Sequence, residues 1–317
     1  MNALPMGVRV RVVSSLVEGV SLRGTGRMTD VGREAVTALL LRMGDGCERL
    51  HDARMRDLRC DVLELDEAWS FVFKKQGHLA EDDPAEYGDA YTWIAIDADT
   101  KLVPCFRVDK RSTAAAHAFA AELRARVVGK PQITSDGFKA YLGAIENSFG
   151  TRVNYAQISK EYYGDESDDA PRDDRRYSGR RVKRSLKRPI TGTPDEARIS
   201  TCFVERQNLT LRMGMRRFTR LTNAFSKRVK NLRAAVNLHF AHYNFCRVHM
   251  TLRVTPAMEA GLTDHVWTIE ELVTAALAAE VAPPLALPTP PEKGARFGRL
   301  PSGDGPLPGQ LALPGVL

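Results

Sequence analysis

The chain has 317 residues, of which 27% are charged and 43% hydrophobic, and its formal net charge is +7. This length allows more than one domain, and the basic excess favours a polyanionic partner, nucleic acid before membrane. The five cysteines are scattered without a Cys-x-x-Cys pair, which argues against a zinc knuckle or a disulfide framework. No apolar run suits a membrane span, because Glu280 and Pro283 interrupt the most apolar segment. A cytoplasmic protein is expected.

Residues 1–58 are predicted to form an all-α helix-turn-helix domain of three short helices. The third helix runs from about Gly32, and its apolar residues recur with the period of a helix. This apolar stripe consists of Val36, Leu39, Leu40 and Met43. The opposite face would offer Arg33 and Thr37 to a DNA groove. The alternative is a small helical bundle whose outer face is only solvated.

Residues 59–275 are predicted to form an α/β domain. Four segments rich in β-branched and aromatic residues predict strands. These segments are 61–73, 92–97, 101–108 and 131–136. Helices are predicted over 112–128, where Ser112 or Thr113 caps the start, and again after Gly137. The order of three strands, helix, strand and helix indicates a mixed sheet with flanking helices.

Two further segments lack the pattern of a buried core. Residues 157–198 are dense in both charge signs and are predicted to be a flexible, basic insertion within the α/β domain. Nine of the seventeen prolines follow residue 282, so the tail 276–317 is predicted to be disordered.

Carboxylates of the α/β domain suggest a site. Glu64 and Asp66 share one face of the first strand, because alternate side chains of a strand point the same way. Asp136 ends a predicted strand, where open α/β sheets bind ligands. Glu205 is the single acid among eleven lysines and arginines between residues 199 and 256. An isolated carboxylate in so basic a stretch makes sense if it binds a cation beside a bound polyanion.

Two aspartates and a glutamate that converge would supply the hard oxygen ligands that Mg²⁺ prefers. Two such ions can activate an attacking oxygen and stabilise a leaving oxygen at a phosphodiester. Each acid also has a structural alternative: Asp66 ends a strand, Asp136 caps a helix, and Glu205 pairs with Arg206 or Arg212. Both readings stay open on spacing alone.

Basic residues near these acids are expected to hold the nucleic-acid backbone. Arg212 follows Glu205 by seven residues, which places both on one helix face. The predicted contacts in this region are Lys139, Arg206, Arg212, Arg216 and Arg217. For Lys139 a solvated helix face is the alternative.

Four stretches carry a resemblance to a known family. They are DEAWSFV (66–72), AIDADTKLV (95–103), SDGFKAY (135–141) and ISTCFVERQNLTLRMGMRRFTRLTNAFSKR (199–228). Together they resemble the DDE transposases of bacterial insertion sequences, in particular the insertion-sequence-one group, and the similarity runs from the N-terminal helices to about Trp267. The resemblance implies an RNase H-like catalytic fold with Asp66, Asp136 and Glu205 as catalytic and metal-binding acids.

The chemistry that the resemblance implies depends on Mg²⁺ or Mn²⁺, with two ions expected. Water attacks at the end of the element to free a 3′-OH, and this hydroxyl then attacks the target DNA. The helix-turn-helix would bind terminal inverted repeats, and a homo-oligomer would hold two ends together. Two features depart from the family: the N-terminal cysteine cluster of many members is absent, and residues 157–198 lengthen the gap between Asp136 and Glu205.

Two other functions remain open from the sequence. The chain is alternatively an inactive or domesticated transposase that acts as a helix-turn-helix regulator, or a metal-dependent nuclease that cuts without joining. Tyr243 and Asn244, in a segment that resembles the end of many transposase catalytic domains, are expected to pack rather than to react.

Overall fold

The computed structural model describes residues 4–162, 182–219 and 222–279. Its helices are α1 (Met6–Val17), α2 (Leu22–Thr29), α3 (Arg33–Arg54), α4 (Thr113–Arg126), α5 (Ala140–Phe149), α6 (Cys202–Gly214), α7 (Val229–Phe245), α8 (Pro256–Glu259) and α9 (Ile269–Ala278). Its strands are β1 (Leu58–Arg59), β2 (Val62–Val72), β3 (Gly88–Asp97), β4 (Cys105–Asp109), β5 (Val127–Val128), β6 (Gln132–Asp136), β7 (Asn154–Tyr162) and β8 (Val182–Thr191). Across these ranges, none of the helices combines the length and the apolarity that crossing a bilayer requires.

Six strands form one mixed sheet in the order β4-β3-β2-β6-β7-β8. The first three pair as antiparallel neighbours, β6 and β7 continue in parallel with β2, and β8 returns antiparallel to β7. The predicted α/β class, a mixed sheet with flanking helices behind an N-terminal helical region, is confirmed. The predicted order of three strands, helix, strand and helix is also confirmed.

Helices cover both faces of this sheet. On one face, Trp93 of β3 lies against Phe119 of α4 and Tyr141 of α5, with ring centroids 5.9 and 5.7 Å apart. On the other face, Phe106 of β4 packs against Phe240 of α7, with ring centroids 4.5 Å apart. Strand β2 is therefore buried between two apolar layers, which explains its nearly continuous run of buried side chains.

The strand predicted over 101–108 begins later, at Cys105. The backbone of Val103 pairs with the side-chain amide of Asn244 rather than with a strand. Asn244 Oδ1 accepts the Val103 N–H and its Nδ2 donates to the Val103 carbonyl, both at 3.1 Å. The Tyr243 hydroxyl donates to the carbonyl oxygen of Lys101 at 3.0 Å. The expected packing role of Tyr243 and Asn244 is thus confirmed, because both fasten α7 to the β3–β4 connection.

The segment predicted as a flexible insertion, 157–198, contributes strands at its two ends. β7 extends to Tyr162, and β8 pairs with it from Tyr155↔Thr191 to Tyr162↔Val182. The prediction was wrong for these parts, because an edge strand that faces solvent is held by backbone hydrogen bonds and needs no apolar alternation. The middle of the segment, 163–181, lies outside the described residues.

The predicted tail, 276–317, begins inside α9 rather than after it, and residues 280–317 lie outside the described ranges. Helix α9 starts with a capping box, in which Thr268 accepts the N–H of Glu271 and the Glu271 carboxylate accepts the N–H of Thr268.

The N-terminal helices pack directly on helices from the other end of the chain. Helix α3 continues well past the predicted stripe and lies along α7, so close that a Cβ at Gly44 would lie 2.9 Å from the Ala234 carbonyl oxygen. A Cβ at Gly46 would lie 2.8 Å from the carbonyl carbon of Ala276 in α9. Buried side chains of α1 and α3 belong to the same apolar core as the sheet. Residues 1–58 therefore share their core with the α/β region.

Gly44→Ala is expected to lower the free energy of unfolding by about 1–3 kcal/mol, because the added methyl group meets the α7 backbone. Alanine otherwise favours a helix over glycine by about 1 kcal/mol. Gly7→Ala in α1 is the matched control, since a Cβ there meets only the end of Arg11, at 4.0 Å. Urea unfolding should show a loss for Gly44→Ala and no loss for Gly7→Ala. Equal stability of the two variants would contradict the close packing of α3 on α7.

Candidate active site

Adjacent parallel strands bring Asp66 and Asp136 together. β2 and β6 pair in the register Leu65↔Ser135, so the two aspartates occupy the next position on each strand. One carboxylate oxygen each from Asp66, Asp136 and Glu67 lies within 4.8 Å of the other two. Two of the three acids predicted from the sequence are therefore neighbours at the carboxyl end of β6.

Glu64 positions the helix that carries the third acid. Its side chain is buried beside the start of α6, where its Oε2 accepts the N–H groups of Phe203 and Val204 at 2.7 and 3.0 Å. The N-cap residue of α6, Thr201, makes no capping hydrogen bond with its side chain. A carboxylate at a helix N-terminus satisfies otherwise unpaired donors and complements the helix dipole. Glu64 thus has a structural partner and lies outside the set of three close acids.

Helix α6, which carries Glu205, contacts Asp66. One turn after Glu205, Asn208 is buried and its Nδ2 donates to Asp66 Oδ2 at 2.7 Å. Glu205 Oε1 accepts from the Thr201 hydroxyl at 2.7 Å and forms an ion pair with Lys160 of β7. The sequence-based alternative was an ion pair with Arg206 or Arg212. The structure shows an ion pair of Glu205 with Lys160, which no local pattern could indicate.

Burial, together with the nearby carboxylates of Glu67, Asp136 and Glu205, raises the pKa of Asp66 to about 7. The cause is physical: a low dielectric and like charges both disfavour ionisation. A cation placed among these acids would reverse that penalty. The electrostatics of Asp66 therefore favour binding of positive charge at this position.

Arg111 lies between two acids of the site. Its Nε donates to Glu67 Oε2 at 3.0 Å, and its Nη2 lies 3.5 Å from Asp136 Oδ2. Glu67 is only 3% exposed, and burial raises its pKa. Its Oε1 has no hydrogen-bond partner among the described residues. Asp136 Oδ1 also accepts the Phe138 N–H at 3.0 Å, while α5 itself begins only at Ala140.

These groups open on one cavity of about 980 Å³, which we call the acidic cavity. The three predicted acids line it, and so do four basic side chains. The acids are Asp66, Asp136 and Glu205, and the basic residues are Arg111, Lys139, Lys160 and Arg212. The cavity thus combines carboxylates that suit a hard cation with cations that suit a polyanion.

The predicted DNA contacts divide between two places. Lys139 and Arg212 line the acidic cavity. Arg33, Thr37, Arg216 and Arg217 line a second groove, the α3–α7 groove, whose other wall includes Lys227 and Arg228. Arg206 is exposed on α6 and lines neither.

Sequence reasoning missed four polar residues of the acidic cavity and its wall: Glu67, Arg111, Lys160 and Asn208. Helical spacing could have indicated Asn208, since it follows Glu205 by three residues on the same face. Glu67 stands beside Asp66, but strand alternation assigned it to the opposite face. Arg111 and Lys160 come from distant segments, and only the tertiary structure places them here.

No family model and no curated protein matches the sequence. Among solved structures, the chain is similar to piggyBac transposase in a synaptic complex with hairpin DNA, at a TM-score of 0.38 and 12% identity, over 86% of this chain and 69% of that one. It is also similar to the Mos1 strand transfer complex, at a TM-score of 0.19 and 14% identity, over 46% of this chain and 56% of that one. A pre-cleavage Mos1 transpososome is similar at a TM-score of 0.16 and 12% identity, over 44% of this chain and 56% of that one. At these TM-scores the similarities assign neither an activity nor a partner to this chain.

Proposed function

We propose that this protein is a DDE-type DNA transposase, which cuts DNA at the ends of an insertion sequence and joins the freed 3′-OH to target DNA. The observation that carries the proposal is the meeting of Asp66, Asp136 and Glu205 at one cavity that basic side chains also line. These acids are the ones that the motifs DEAWSFV, SDGFKAY and VERQNL single out. Membership of the insertion-sequence-one group is part of the proposal.

The residues present fit a divalent metal. Asp66 and Asp136 each offer a carboxylate oxygen, and these oxygens lie within 4.8 Å of each other. The raised pKa of Asp66 shows that the nearby cations do not fully neutralise the charge of its carboxylate. Asp66, Asp136 and Glu205 would hold Mg²⁺ or Mn²⁺, and two ions suit a site with three acids. When bound, the metal supplies activation of the attacking oxygen and stabilisation of the leaving oxygen.

Other side chains would position the catalytic acids and contact the DNA phosphates. Asn208 fixes one oxygen of Asp66 by its hydrogen bond, and Glu64 fixes the start of the helix that bears Glu205. Lys160 and Arg111 neutralise Glu205 and Asp136 in the metal-free protein, and each must give up its acid when the acids take metal ligand positions. Lys139 and Arg212 are suited to contact the phosphates that flank the scissile bond.

DNA recognition belongs to the same proposal. The N-terminal helices α1 to α3 would take part in binding the terminal inverted repeats, and a homo-oligomer would bring two ends together. In this arrangement Arg206 and Arg216 would contact DNA from the surface of α6 and the turn that follows it.

The test uses purified protein and duplex DNA that carries the repeats flanking its own gene, with Mg²⁺ or Mn²⁺. We expect nicks that leave a 3′-OH at the repeat end, followed by joined products, and neither product with EDTA. Glu205→Gln keeps the size and the hydrogen-bonding ability of the side chain and removes its charge. This variant is expected to lose both products and to retain DNA binding.

Other results would select the rival functions. Tight binding of the repeats without cleavage by the unmodified protein would contradict the enzyme and favour a regulator. Cleavage without joined products would favour a nuclease. Cleavage that survives Glu205→Gln would remove Glu205 from the catalytic acids.

A further inference from the structure

The α3–α7 groove is a strongly basic groove of about 800 Å³ apart from the acidic cavity. Seven basic side chains line it, from α2, the start of α3, the turn after α6 and the start of α7. They are Arg23, Arg33, Arg216, Arg217, Lys227, Arg228 and Lys230, and the acid in the lining is Glu34. Of the seven, only Arg33 forms an ion pair with a described residue, at 3.9 Å from Glu34. The groove therefore holds a concentration of uncompensated positive charge.

Two helices begin at this groove without a side-chain cap. Helix α3 starts after Gly32 and helix α7 starts after Arg228, and neither N-cap residue makes a capping hydrogen bond. Helix α7 also has no acid in its first turn. Free N–H groups and the positive end of the helix dipole make such N-termini favourable places for anions. Their convergence on one groove adds to the charge of its side chains.

Two groups in the groove wall, the half-buried Arg217 and the buried His239, also lack an expected partner. Arg217 donates to the Ser226 hydroxyl at 2.7 Å, but no carboxylate within the described ranges pairs with it, and burial lowers its pKa. His239 is 5% exposed, and its Nε2 finds no hydrogen-bond partner in the described part of the chain. Buried polar groups of this kind are costly unless a ligand completes them.

We infer that the α3–α7 groove binds the phosphate backbone of duplex DNA, four or five nucleotides from the bond that is cut at the acidic cavity. This inference rests on the proposed function and adds the place and the mode of DNA binding. The basic residues are spread along the groove on four elements, which suits successive phosphates of a polymer. A small-ligand site instead needs only a few polar groups that converge on one point.

The distance between the two sites follows from α6, which joins them. Glu205 lies near its start in the acidic cavity, and Met215 follows its end in the α3–α7 groove. Ten residues of helix span about 15 Å. A DNA strand advances about 3.4 Å per nucleotide, so this span corresponds to about four or five nucleotides.

The mode of binding differs from the one expected for a helix-turn-helix. Arg33 and Thr37, the residues predicted to read bases, face a groove whose opposite wall begins α7. A recognition helix must protrude to enter a major groove. Lysines and arginines that meet phosphates instead bind DNA of any sequence, with a strong dependence on salt.

The experiment compares two triple variants of the full chain that remove the same charges. Arg216→Ala, Lys227→Ala and Arg228→Ala empty the groove of three exposed cations. Arg59→Ala, Lys130→Ala and Arg152→Ala are the matched control, because these exposed residues lie at the end of the sheet away from Asp136. Binding of a labelled duplex carrying the flanking repeats, and of a scrambled duplex, is measured in EDTA over a series of salt concentrations.

We expect the groove variant to bind both duplexes at least about tenfold more weakly than the control variant. The slope of log affinity against log salt should fall by about two to three, since each lost phosphate contact contributes about 0.9. Ethylation of phosphates four or five nucleotides from the nick should interfere with binding of the unmodified protein and of the control variant, and no longer with binding of the groove variant. If the triple variant does not fold, Lys227→Glu repeats the measurement with a single exposed residue.

Equal weakening by both triple variants would overturn the inference, since net charge alone would then explain the binding. Unchanged binding by the groove variant, or by Lys227→Glu if the triple variant does not fold, would overturn it as well. A loss confined to the repeat duplex would also overturn it, in favour of base reading by α3. The binding test in EDTA involves no cleavage, so its result is independent of the activity test of the acids. If the unmodified protein cuts and joins DNA while the groove variant binds normally, the proposed function stands and this inference fails.

Discussion

Asp66→Asn is expected to abolish metal-dependent cleavage and, in the metal-free protein, to increase stability above neutral pH. The loss of activity should exceed about 100-fold, because even the loss of a residue that supports a metal ligand costs about 10–100-fold. The hydrogen bond from Asn208 can persist, since an amide oxygen replaces the carboxylate oxygen as acceptor. The substitution therefore removes charge with little change of shape.

The gain in stability follows from the pKa of Asp66, which burial and like charges raise from 3.8 to about 7. Below about pH 4 the group is protonated in folded and unfolded chains, and its ionisation costs the fold nothing. As the pH rises from 4 to 7, the unfolded chain releases this proton more readily, so the unmodified protein loses stability. Asp66→Asn has no such loss, so its advantage should be largest at pH 8, at about 1–3 kcal/mol.

Urea unfolding at pH 4.5 and at pH 8, with and without Mg²⁺, measures this effect. Added metal should stabilise the unmodified protein at pH 8 and leave Asp66→Asn unchanged, because only a chain that binds the ion gains stability from it. Asp82→Asn, in an exposed loop, is the control and should behave as the unmodified protein. Equal stabilisation of Asp66→Asn by metal would show that Asp66 is not a ligand.

Among single substitutions of the acids in and around the site, Glu64→Ala is expected to lower the free energy of unfolding most. It would leave the N–H groups of Phe203 and Val204 without their acceptor in a buried place. An unsatisfied buried donor costs about 1–3 kcal/mol, and a void adds to the loss. Activity should fall with stability, because a shift of about 1 Å in a catalytic group can cost about 100-fold.

Glu64→Gln separates this positioning role from metal binding. The amide oxygen still accepts the two N–H groups, so the variant should regain most of the stability and activity, and its response to metal should match that of the unmodified protein. If Glu64 were itself a ligand, Glu64→Gln would lose metal binding while it remained folded. Titration of Mn²⁺ against both Glu64 variants, beside urea unfolding, distinguishes the two roles.

Local patterns predicted the site where the geometry is local. Alternation along β2 correctly placed Glu64 and Asp66 on one face, where both contact α6, and the pattern of 131–136 correctly placed Asp136 at a strand end. Contacts between distant segments were beyond such patterns. The partner of Glu64 lies 139 residues away, and Lys160 reaches Glu205 from a segment that appeared to be a loop.

The strand β8 shows why residues 157–198 were predicted to be a flexible insertion rather than strands. Charged side chains stand on both of its faces, since it lies at the edge of the described sheet, and β-structure is recognised in a sequence mainly where one face is buried. The helical region misled in another way. Its apolar stripe indicated a helix correctly, but a stripe does not say which partner covers it, and α7 and α9 are that partner.

Under the proposed function, the close approach at Gly44 and Gly46 bears on how such a protein can acquire new DNA specificity. A binding module on a loose tether can be exchanged as a cassette, with the rest of the chain indifferent to its origin. Here the backbones of α7 and α9 rest against the bare glycines of α3, so the surface that receives the N-terminal helices is encoded some 190 to 230 residues later. A graft of residues 1–58 from a relative must therefore be accompanied by matching residues of α7 and α9. New specificity should accordingly arise by point substitutions on exposed positions more readily than by recombination between genes.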